Sequence, residues 1–171
     1  MLDLKNYIRN ISDFPKEGIN YKDITPLLMD PEASNFALNN LAKKLQNQNI
    51  DKVVGIESRG FLFGMLLAQK LGVGFVMIRK PGKLPAKTVS QTYDLEYGSD
   101  TVEIHEDAIS PGENIVIHDD LLATGGTAEA ACKLVEQLGG NIVEINFIIT
   151  LNFLNGKNRL KNYPLRSLLE Y

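Results

Sequence analysis

Apolar residues recur at the spacing of an α-helix in two stretches of the first part of the chain. The first predicts a short amphipathic helix near the N-terminus, with an apolar side formed by Leu4, Tyr7, Ile8 and Ile11. The second begins at Asp30-Pro31, because aspartate is a favourable N-cap and proline suits the first helical position. Its predicted buried stripe consists of Leu38, Leu41, Ala42 and Leu45.

Beyond this point, short uninterrupted apolar runs alternate with helical stretches. The runs predict strands at 53–56, 75–78, 115–118 and 142–151, and helices are expected at 60–71 and about 128–138. Strands that are apolar on both faces are typical of a parallel sheet covered by helices. The alternation of strand and helix therefore predicts an α/β fold with right-handed crossovers, in one domain spanning residues 1–171.

Residues 80–111 fit this rhythm worst, since they combine proline, glycine, mixed charge and weak β alternation. A long irregular segment inside a compact domain is usually a functional lid or a mobile loop. We therefore expect a loop here. Within it, residues 93–97 alternate tyrosines with acids and leucine, and their plain interpretation is an edge strand with a polar face.

Composition and charge narrow the function classes. The 171 residues are 44% apolar and 23% charged, which is close to average for a globular domain. A net charge of −3 does not favour broad binding to nucleic acid. The single cysteine, Cys132, excludes a disulfide framework and a cysteine-based zinc site. We find no secretory or membrane-spanning pattern and expect a cytoplasmic location.

The strongest chemical pattern is residues 115–127, where an apolar strand leads into two acids, a glycine turn and a helix. Glycines let backbone N–H groups approach an anion, and a helix N-terminus adds unpaired donors and partial positive charge. The turn suits a phosphate, held by Ala123, Thr124, Gly125, Gly126 and Thr127. Asp119 and Asp120 would repel a phosphate, so their targets are ribose hydroxyls or a magnesium shell that the ligand brings. The alternative is a plain strand–turn–helix connection with the acids as caps.

Two further groups of residues could bind anions. Ser58 and Arg59 follow a predicted strand and could clamp an oxyanion, unless Arg59 pairs with Glu57 or another acid. Four cations then occur within nine residues, at Arg79, Lys80, Lys83 and Lys87. They would balance a polyanionic substrate or form a solvated face. Nucleic acid is the competing partner, which the net charge and the lack of nearby stacking aromatics disfavour.

Five ordered motifs resemble those of the type I phosphoribosyltransferases, particularly the adenine-specific members. They are residues 14–28, 57–64, 79–85, 93–98 and 115–127, and the similarity extends over nearly the whole chain. The resemblance implies a twisted, mostly parallel sheet flanked by helices, with an N-terminal hood at about 1–30 and a flexible catalytic loop at about 83–105. It also implies a homodimer. Glu17, Tyr21 and Lys22 depart from the proline, phenylalanine and arginine that the family commonly has there.

The resemblance further implies a reaction, in which adenine and 5-phosphoribosyl 1-diphosphate (PRPP) give AMP and diphosphate in purine salvage. In this scheme residues 123–127 bind the 5′-phosphate and Asp119 and Asp120 bind the ribose. The diphosphate would be held by Ser58, Arg59, Arg79, Lys80 and Lys83. The adenine would be bound by Tyr21, which could stack on it, and by backbone groups at Asn20 and Lys22, which would read its Watson–Crick edge. Glu96, Tyr97 and Arg59 would be catalytic, and Mg²⁺ would be held mainly by the substrate rather than by protein ligands.

Two alternatives remain at this point. One is a related transferase for hypoxanthine, guanine or xanthine. The other is a non-enzymatic regulator that senses the sugar phosphate and binds nucleic acid. His118 lies within the strand pattern, so we expect a core histidine with a satisfied hydrogen bond rather than a catalytic one.

Overall fold

The structure is a computed structural model that describes residues 2–95 and 98–171. In chain order its elements are β1 (Arg9–Ser12), β2 (Asn20–Asp23), α1 (Thr25–Met29), α2 (Pro31–Lys43), β3 (Lys52–Ile56), α3 (Gly60–Leu71), β4 (Gly74–Ile78), β5 (Thr88–Asp94), β6 (Ser99–His105), β7 (Asn114–Leu122), α4 (Gly126–Gln137), β8 (Asn141–Thr150) and β9 (Leu165–Glu170). Short 3₁₀ turns lie at Leu4–Tyr7, Asn152–Leu154 and Gly156–Asn158.

A five-stranded sheet in the order β4-β3-β7-β8-β9 forms the centre, and every neighbouring pair is parallel. One face packs against α2 and α3, through a cluster that includes Leu41, Leu67 and Val116. The other face packs against α4 and the β5–β6 hairpin, through a cluster that includes Ile117, Val135 and Ile104. The predicted α/β fold with a helix-flanked parallel sheet is confirmed, because strands apolar on both faces need a layer on each side.

The helix boundaries follow local chemistry. The Asp30 carboxylate accepts a hydrogen bond from the Ala33 amide, which caps α2 as predicted. Helix α3 ends at Leu71 and is capped by Gly72, whose φ of +73° is a left-handed conformation that glycine adopts without a steric penalty. These caps place the apolar stripes of both helices against the sheet.

The predicted N-terminal helix is wrong beyond its first turn. Leu4–Tyr7 forms a single 3₁₀ turn, and the chain then enters β1, which pairs antiparallel with β2. Leu4 and Ile8 are buried and Tyr7 is partly buried, so the helical spacing still identified residues that face the core. Ile11 instead pairs with Tyr21 across the two strands. Hydrogen bonding to a strand ten residues away overrides the local helical pattern, and β1, β2 and α1 form the region predicted as the hood.

The segment 80–111, expected to be a loop, contains a β-hairpin. β5 and β6 pair in register from Thr88↔His105 to Asp94↔Ser99. The hairpin buries Tyr93, Val102 and Ile104 against the α4 side of the sheet, while its other face is polar. The strand interpretation of residues 93 and 94 is therefore right. Sequence analysis also assigned no element to residues 165–170, which form the edge strand β9.

Candidate active site

The two loops predicted to bind anions meet at one edge of the sheet. β3 and β7 are parallel neighbours with Gly55 paired to His118, so the chain leaves both strands on the same side. The first residue of α3 touches the end of β7: a Cβ at Gly60 would lie 2.8 Å from Asp119 Oδ1 and 2.9 Å from the His118 carbonyl oxygen. Only glycine permits this approach. Ser58 and Arg59 therefore lie beside the acids, at the strand-end position where α/β folds bind ligands.

The turn predicted to bind a phosphate, residues 123–127 and called the phosphate turn below, has the predicted form. β7 is longer than expected and runs through both acids to Leu122. Gly125 has a φ of +85°, and a Cβ there would lie 2.7 Å from the Gly156 carbonyl oxygen. α4 begins at Gly126, so its free amides face the turn. The turn encloses a pocket of about 80 Å³, lined by Asp119 and residues 121–128. Since a water molecule occupies about 30 Å³ in the liquid, the pocket has room for one small oxyanion.

The two acids have different surroundings. Asp120 is buried and Asp119 is partly buried, and the Asp120 amide donates to Asp119 Oδ1 at 2.9 Å. Burial and the charge of Asp120 raise the pKa of the Asp119 carboxyl. Burial also raises the pKa of Asp120, although the Arg59 guanidinium opposes that rise. Burial therefore disfavours simultaneous ionisation of both carboxyls, and their oxygens can accept hydrogen bonds from sugar hydroxyls.

Arg59 connects the acid pair to the hood. Its Nε lies 3.0 Å from Asp120 Oδ2, and its Nη1 donates to the Tyr21 hydroxyl. The guanidinium carbon lies 5.1 Å from the centroid of the Tyr21 ring, and Phe14 packs edge-on against the same ring at 5.2 Å. The predicted base-stacking residue thus lies next to the predicted ribose acids.

The other two residues predicted to bind adenine contribute differently. Asn20 is exposed at the start of β2. The Lys22 ammonium donates to Asn10 and lies 4.0 Å from the centroid of the Tyr171 ring, so its side chain is buried against the C-terminus. Lys22 can therefore offer a base only its backbone groups, which is the role sequence analysis gave it.

The cations predicted to bind diphosphate are paired with acids of the chain itself. The Glu57 carboxylate accepts from Arg79 Nε at 3.3 Å, from the Lys80 amide at 2.9 Å and from the Lys83 ammonium. Burial alone would raise the pKa of Glu57, but these donors together lower it. The Lys80 ammonium pairs with Asp100, and this contact raises the Lys80 pKa against the opposing effect of burial. Arg79, Lys80 and Lys83 thus lie together at the sheet edge, and a diphosphate would compete with Glu57 and Asp100 for them.

The contacts of Glu57 and Asp100 with these cations, and that of Tyr93 with Lys80, were not predicted from the sequence. Glu57 lies in the motif at 57–64 but was considered only as a partner of Arg59, whereas Asp100 carried no signal in the sequence. Asp100 reaches Lys80 only because β6 folds back beside β5, placing Asp100 opposite Tyr93. A prediction of the hairpin from the sequence would have placed Asp100 opposite Tyr93.

Glu96 and Tyr97, predicted to be catalytic, lie outside the described residues. Among their described neighbours, the Leu95 amide donates to the Gly98 carbonyl oxygen at 3.0 Å, and Asp94 pairs with Ser99. Asp94 and Leu95 also line a cleft together with Thr124 of the phosphate turn. Among residues 2–95 and 98–171, no three His, Cys, Asp or Glu side chains group as metal ligands. In the same ranges, no helix has the length and apolarity needed to cross a membrane.

His118 belongs to a row of buried polar residues that crosses β7, β8 and β9, where His118 pairs with Asn146 and Asn146 with Arg166. Its Nδ1 lies 2.7 Å from Asn146 Oδ1, and Asn146 Nδ2 donates to Glu144, which accepts from Arg166. Because Glu144 can only accept, Asn146 Oδ1 is an acceptor and His118 Nδ1 carries the proton. Burial lowers the pKa of His118 to about 4. The residue is therefore a neutral core histidine at neutral pH.

This burial predicts a pH-dependent stability. An unfolded histidine titrates near pH 6.5, so between pH 6.5 and 4 the unfolded chain binds a proton that the folded chain does not. Stability present above pH 6.5 is lost as the pH falls, by about 3 kcal/mol at about 1.36 kcal/mol per pKa unit. Urea unfolding measures the free energy of unfolding at pH 7 and at pH 4. The loss between these two pH values should be smaller for His118→Gln than for the wild type, by about 3 kcal/mol. His105→Gln, at the partly exposed end of β6, is the control and should behave as wild type. Equal losses in the wild type and His118→Gln would contradict the assignment.

Comparison with known proteins agrees with the geometry. The phosphoribosyl transferase domain family matches residues 28–167. The chain is 59% identical over 170 residues to the adenine phosphoribosyltransferase of Christiangramia forsetii, covering 99% of both chains. The crystal structure of the adenine phosphoribosyltransferase from Thermoanaerobacter pseudethanolicus superimposes with a TM-score of 0.95 at 54% identity, covering 98% of both chains.

A second solved structure is similar to this chain and contains ligands. The adenine phosphoribosyltransferase of Saccharomyces cerevisiae, complexed with D-2,5-dideoxy-2,5-imino-altritol 1,6-bisphosphate and adenine, has a TM-score of 0.92 at 46% identity. The match covers 97% of this chain and 96% of that one. The chain therefore belongs to the phosphoribosyl transferase family, and within it to the adenine phosphoribosyltransferases.

Proposed function

We propose that the protein transfers the phosphoribosyl group of PRPP to adenine, forming AMP and diphosphate in purine salvage. The observation that carries the proposal is the convergence of four groups at one sheet edge: the phosphate turn, the acid pair, the Arg59–Tyr21 contact and the cluster of Arg79, Lys80 and Lys83. A ribose with a phosphate at one end and a diphosphate at the other matches this order. The yeast relative with a bisphosphate and adenine bound supports the same arrangement.

In the proposed reaction, adenine N9 attacks the anomeric carbon and the bond from that carbon to the diphosphate oxygen breaks. The diphosphate leaves with the bonding electrons, and the proton of the base passes to a general base. Positive charge develops on the ribose ring, so Asp119 and Asp120 would stabilise it while holding the hydroxyls. The cations that now pair with Glu57 and Asp100 would stabilise the leaving group. Positioning and electrostatics supply the catalysis.

Glu96 is proposed as the residue that exchanges a proton with the purine, and Tyr97 as part of the closure of the site. The supporting observation is the placement of their neighbours, since Asp94 and Leu95 border a cleft of about 690 Å³ that also includes Thr124 of the phosphate turn. Closure at this position would exclude water, which would otherwise hydrolyse an oxocarbenium-like ribose.

We also propose Mg²⁺ as the cofactor, bound chiefly by the diphosphate. The residues present fit this role, because Asp119 and Asp120 provide carboxylate oxygens, and magnesium typically combines one or two carboxylates with substrate phosphates and water. When bound, the ion neutralises part of the diphosphate charge. A cytoplasmic location fits a salvage enzyme and stays a prediction.

A competition assay tests the proposed reaction and its two alternatives. The protein with PRPP and Mg²⁺ should convert adenine to AMP with one diphosphate released per AMP, and should leave hypoxanthine, guanine and xanthine largely unused. A preference for a 6-oxopurine would assign the protein to the related transferases, because the 6-amino and 6-oxo edges differ in donors and acceptors. Absence of turnover with every purine, together with a salt-dependent nucleic-acid complex, would favour the regulator.

We propose a homodimer formed through α3 and the edge strand β4. Leu62, Met65 and Leu66 are exposed on one side of α3, and Met77 is exposed on β4. Several large apolar side chains exposed on neighbouring elements favour a protein interface, and such a surface can pack against its own copy about a two-fold axis.

The dimer predicts a clear effect of one surface charge. Met65→Glu buries a charge in the proposed interface, so light scattering should show the wild type at twice the chain mass and the variant at one chain mass. Phe153→Glu is the control: Phe153 is 67% exposed in the turn after β8, which β3 and β7 separate from β4 in the sheet, so this variant should remain dimeric. A wild-type monomer, or a dimer unaffected by Met65→Glu, would refute this interface.

A further inference from the structure

The hydroxyl of Tyr93 touches residues from both anion-binding ends of the site. Thr127 Oγ1, in the phosphate turn, donates to Tyr93 Oη at 2.9 Å. On the other side, the Lys80 ammonium donates to the same oxygen at 3.4 Å, and Tyr93 Oη lies 3.3 Å from Asp100 Oδ2. One oxygen atom therefore connects a residue that would bind the 5′-phosphate to one that would bind the diphosphate.

The position of this hydroxyl is set by packing of the ring. Tyr93 is 8% exposed within the cluster on the α4 side of the sheet. The ring lies on the first residue of α4, where a Cβ at Gly126 would lie 3.0 Å from Tyr93 Cδ2. The ring is therefore packed against the helix N-terminus that borders the phosphate turn.

The direction of each hydrogen bond is also determined. A lysine ammonium has only donors and a carboxylate only acceptors. The Tyr93 hydroxyl must then donate its proton to Asp100 and accept from Lys80 and Thr127. Three bonds with fixed directions leave this hydroxyl one orientation, and they orient Thr127 and Lys80 in turn.

We propose that Tyr93 is a positioning residue that sets the distance between the 5′-phosphate site and the diphosphate site. The proposal rests on the proposed function, because PRPP is the ligand with an anionic group at each end. A ligand that occupies both sites gains from correct spacing, in the way that two linked binding groups act at high effective concentration. A ligand that occupies one site gains nothing from the spacing.

The test is Tyr93→Phe, which removes the hydroxyl and keeps the ring against Gly126. Binding to the full-length chain is measured by calorimetry for three ligands: PRPP with Mg²⁺, ribose 5-phosphate, and inorganic diphosphate with Mg²⁺. We expect PRPP affinity to fall about tenfold, the size expected for losing hydrogen bonds to a charged group. Each one-ended ligand should change less than about twofold, since neither spans both sites. The KM for PRPP should rise as the affinity for PRPP falls, while the KM for adenine stays unchanged.

The control is Tyr163→Phe, which removes a hydroxyl that donates to Glu136 at 3.0 Å, near the other end of α4. It should leave the affinities for all three ligands unchanged. Equal weakening of the three ligands by Tyr93→Phe would show a merely structural role and overturn the proposal, as would unchanged PRPP affinity. A wild type that binds PRPP but forms no AMP would overturn the proposed function alone.

Discussion

Gly125→Ala should lower kcat/KM for PRPP by about a hundredfold or more, since misplacing a binding group by about 1 Å can cost this much. The alanine Cβ would lie 2.7 Å from the Gly156 carbonyl oxygen, so the turn must shift away from Gly156. Such a shift moves the amides that face the 80 Å³ phosphate pocket. Steady-state kinetics with PRPP as the varied substrate measures the effect.

The chain supplies a matched control for the backbone strain itself. Gly112 has a φ of +88°, close to the +85° of Gly125, but a Cβ at Gly112 would meet no atom within 4 Å. Both alanine variants carry the left-handed penalty of about 1–2 kcal/mol. Gly112→Ala should therefore lose stability but keep wild-type kinetics. If the two variants had equal kcat/KM, the turn would not be the phosphate site.

Asp120→Asn should reduce kcat/KM for PRPP by between about tenfold and a hundredfold, the range expected for hydrogen bonds to a charged group. The amide has nearly the volume of the carboxylate but lacks the charge that Arg59 contacts at 3.0 Å. Burial raises the pKa of Asp120, so ionisation at neutral pH costs folding free energy that asparagine does not incur. The free energy of unfolding at pH 7 should therefore rise while activity falls.

Opposite changes in stability and activity distinguish a ligand-binding acid from a structural cap. Asp107→Asn, at an exposed turn after β6, should change neither quantity. If Asp120→Asn lost stability and activity together, Asp120 would be holding the turn rather than the ribose.

The central sheet was predictable because its strands carry their own signal. β3, β4, β7 and β8 are apolar on both faces, and α3 begins and ends at the predicted residues. The hairpin was missed because only one of its faces is buried, so that Tyr93, Val102 and Ile104 alternate with polar residues. β9 was missed because Arg166 and Ser167 follow its first residue, so this edge strand lacks a continuous apolar run.

The residues of the site also divide into those that the local sequence predicts and those that it does not. Residues 119–127 were identified because one local segment supplies strand, acids, turn and helix start. The pairing of Lys80 with Asp100 and the contact of Arg59 with Tyr21 join residues that are distant along the chain. Such contacts depend on tertiary packing, and local pattern carries no information about them.

The most direct test of the account is a crystal structure of the protein with PRPP, Mg²⁺ and an adenine analogue that cannot react. One PRPP molecule should span the site, with its 5′-phosphate on the amides of residues 124–127, its ribose hydroxyls on Asp119 and Asp120, and its diphosphate near Arg79 and Lys83. The base analogue should stack on Tyr21. A PRPP molecule bound elsewhere, or one whose two anionic ends do not reach both the turn and the cations, would contradict the account.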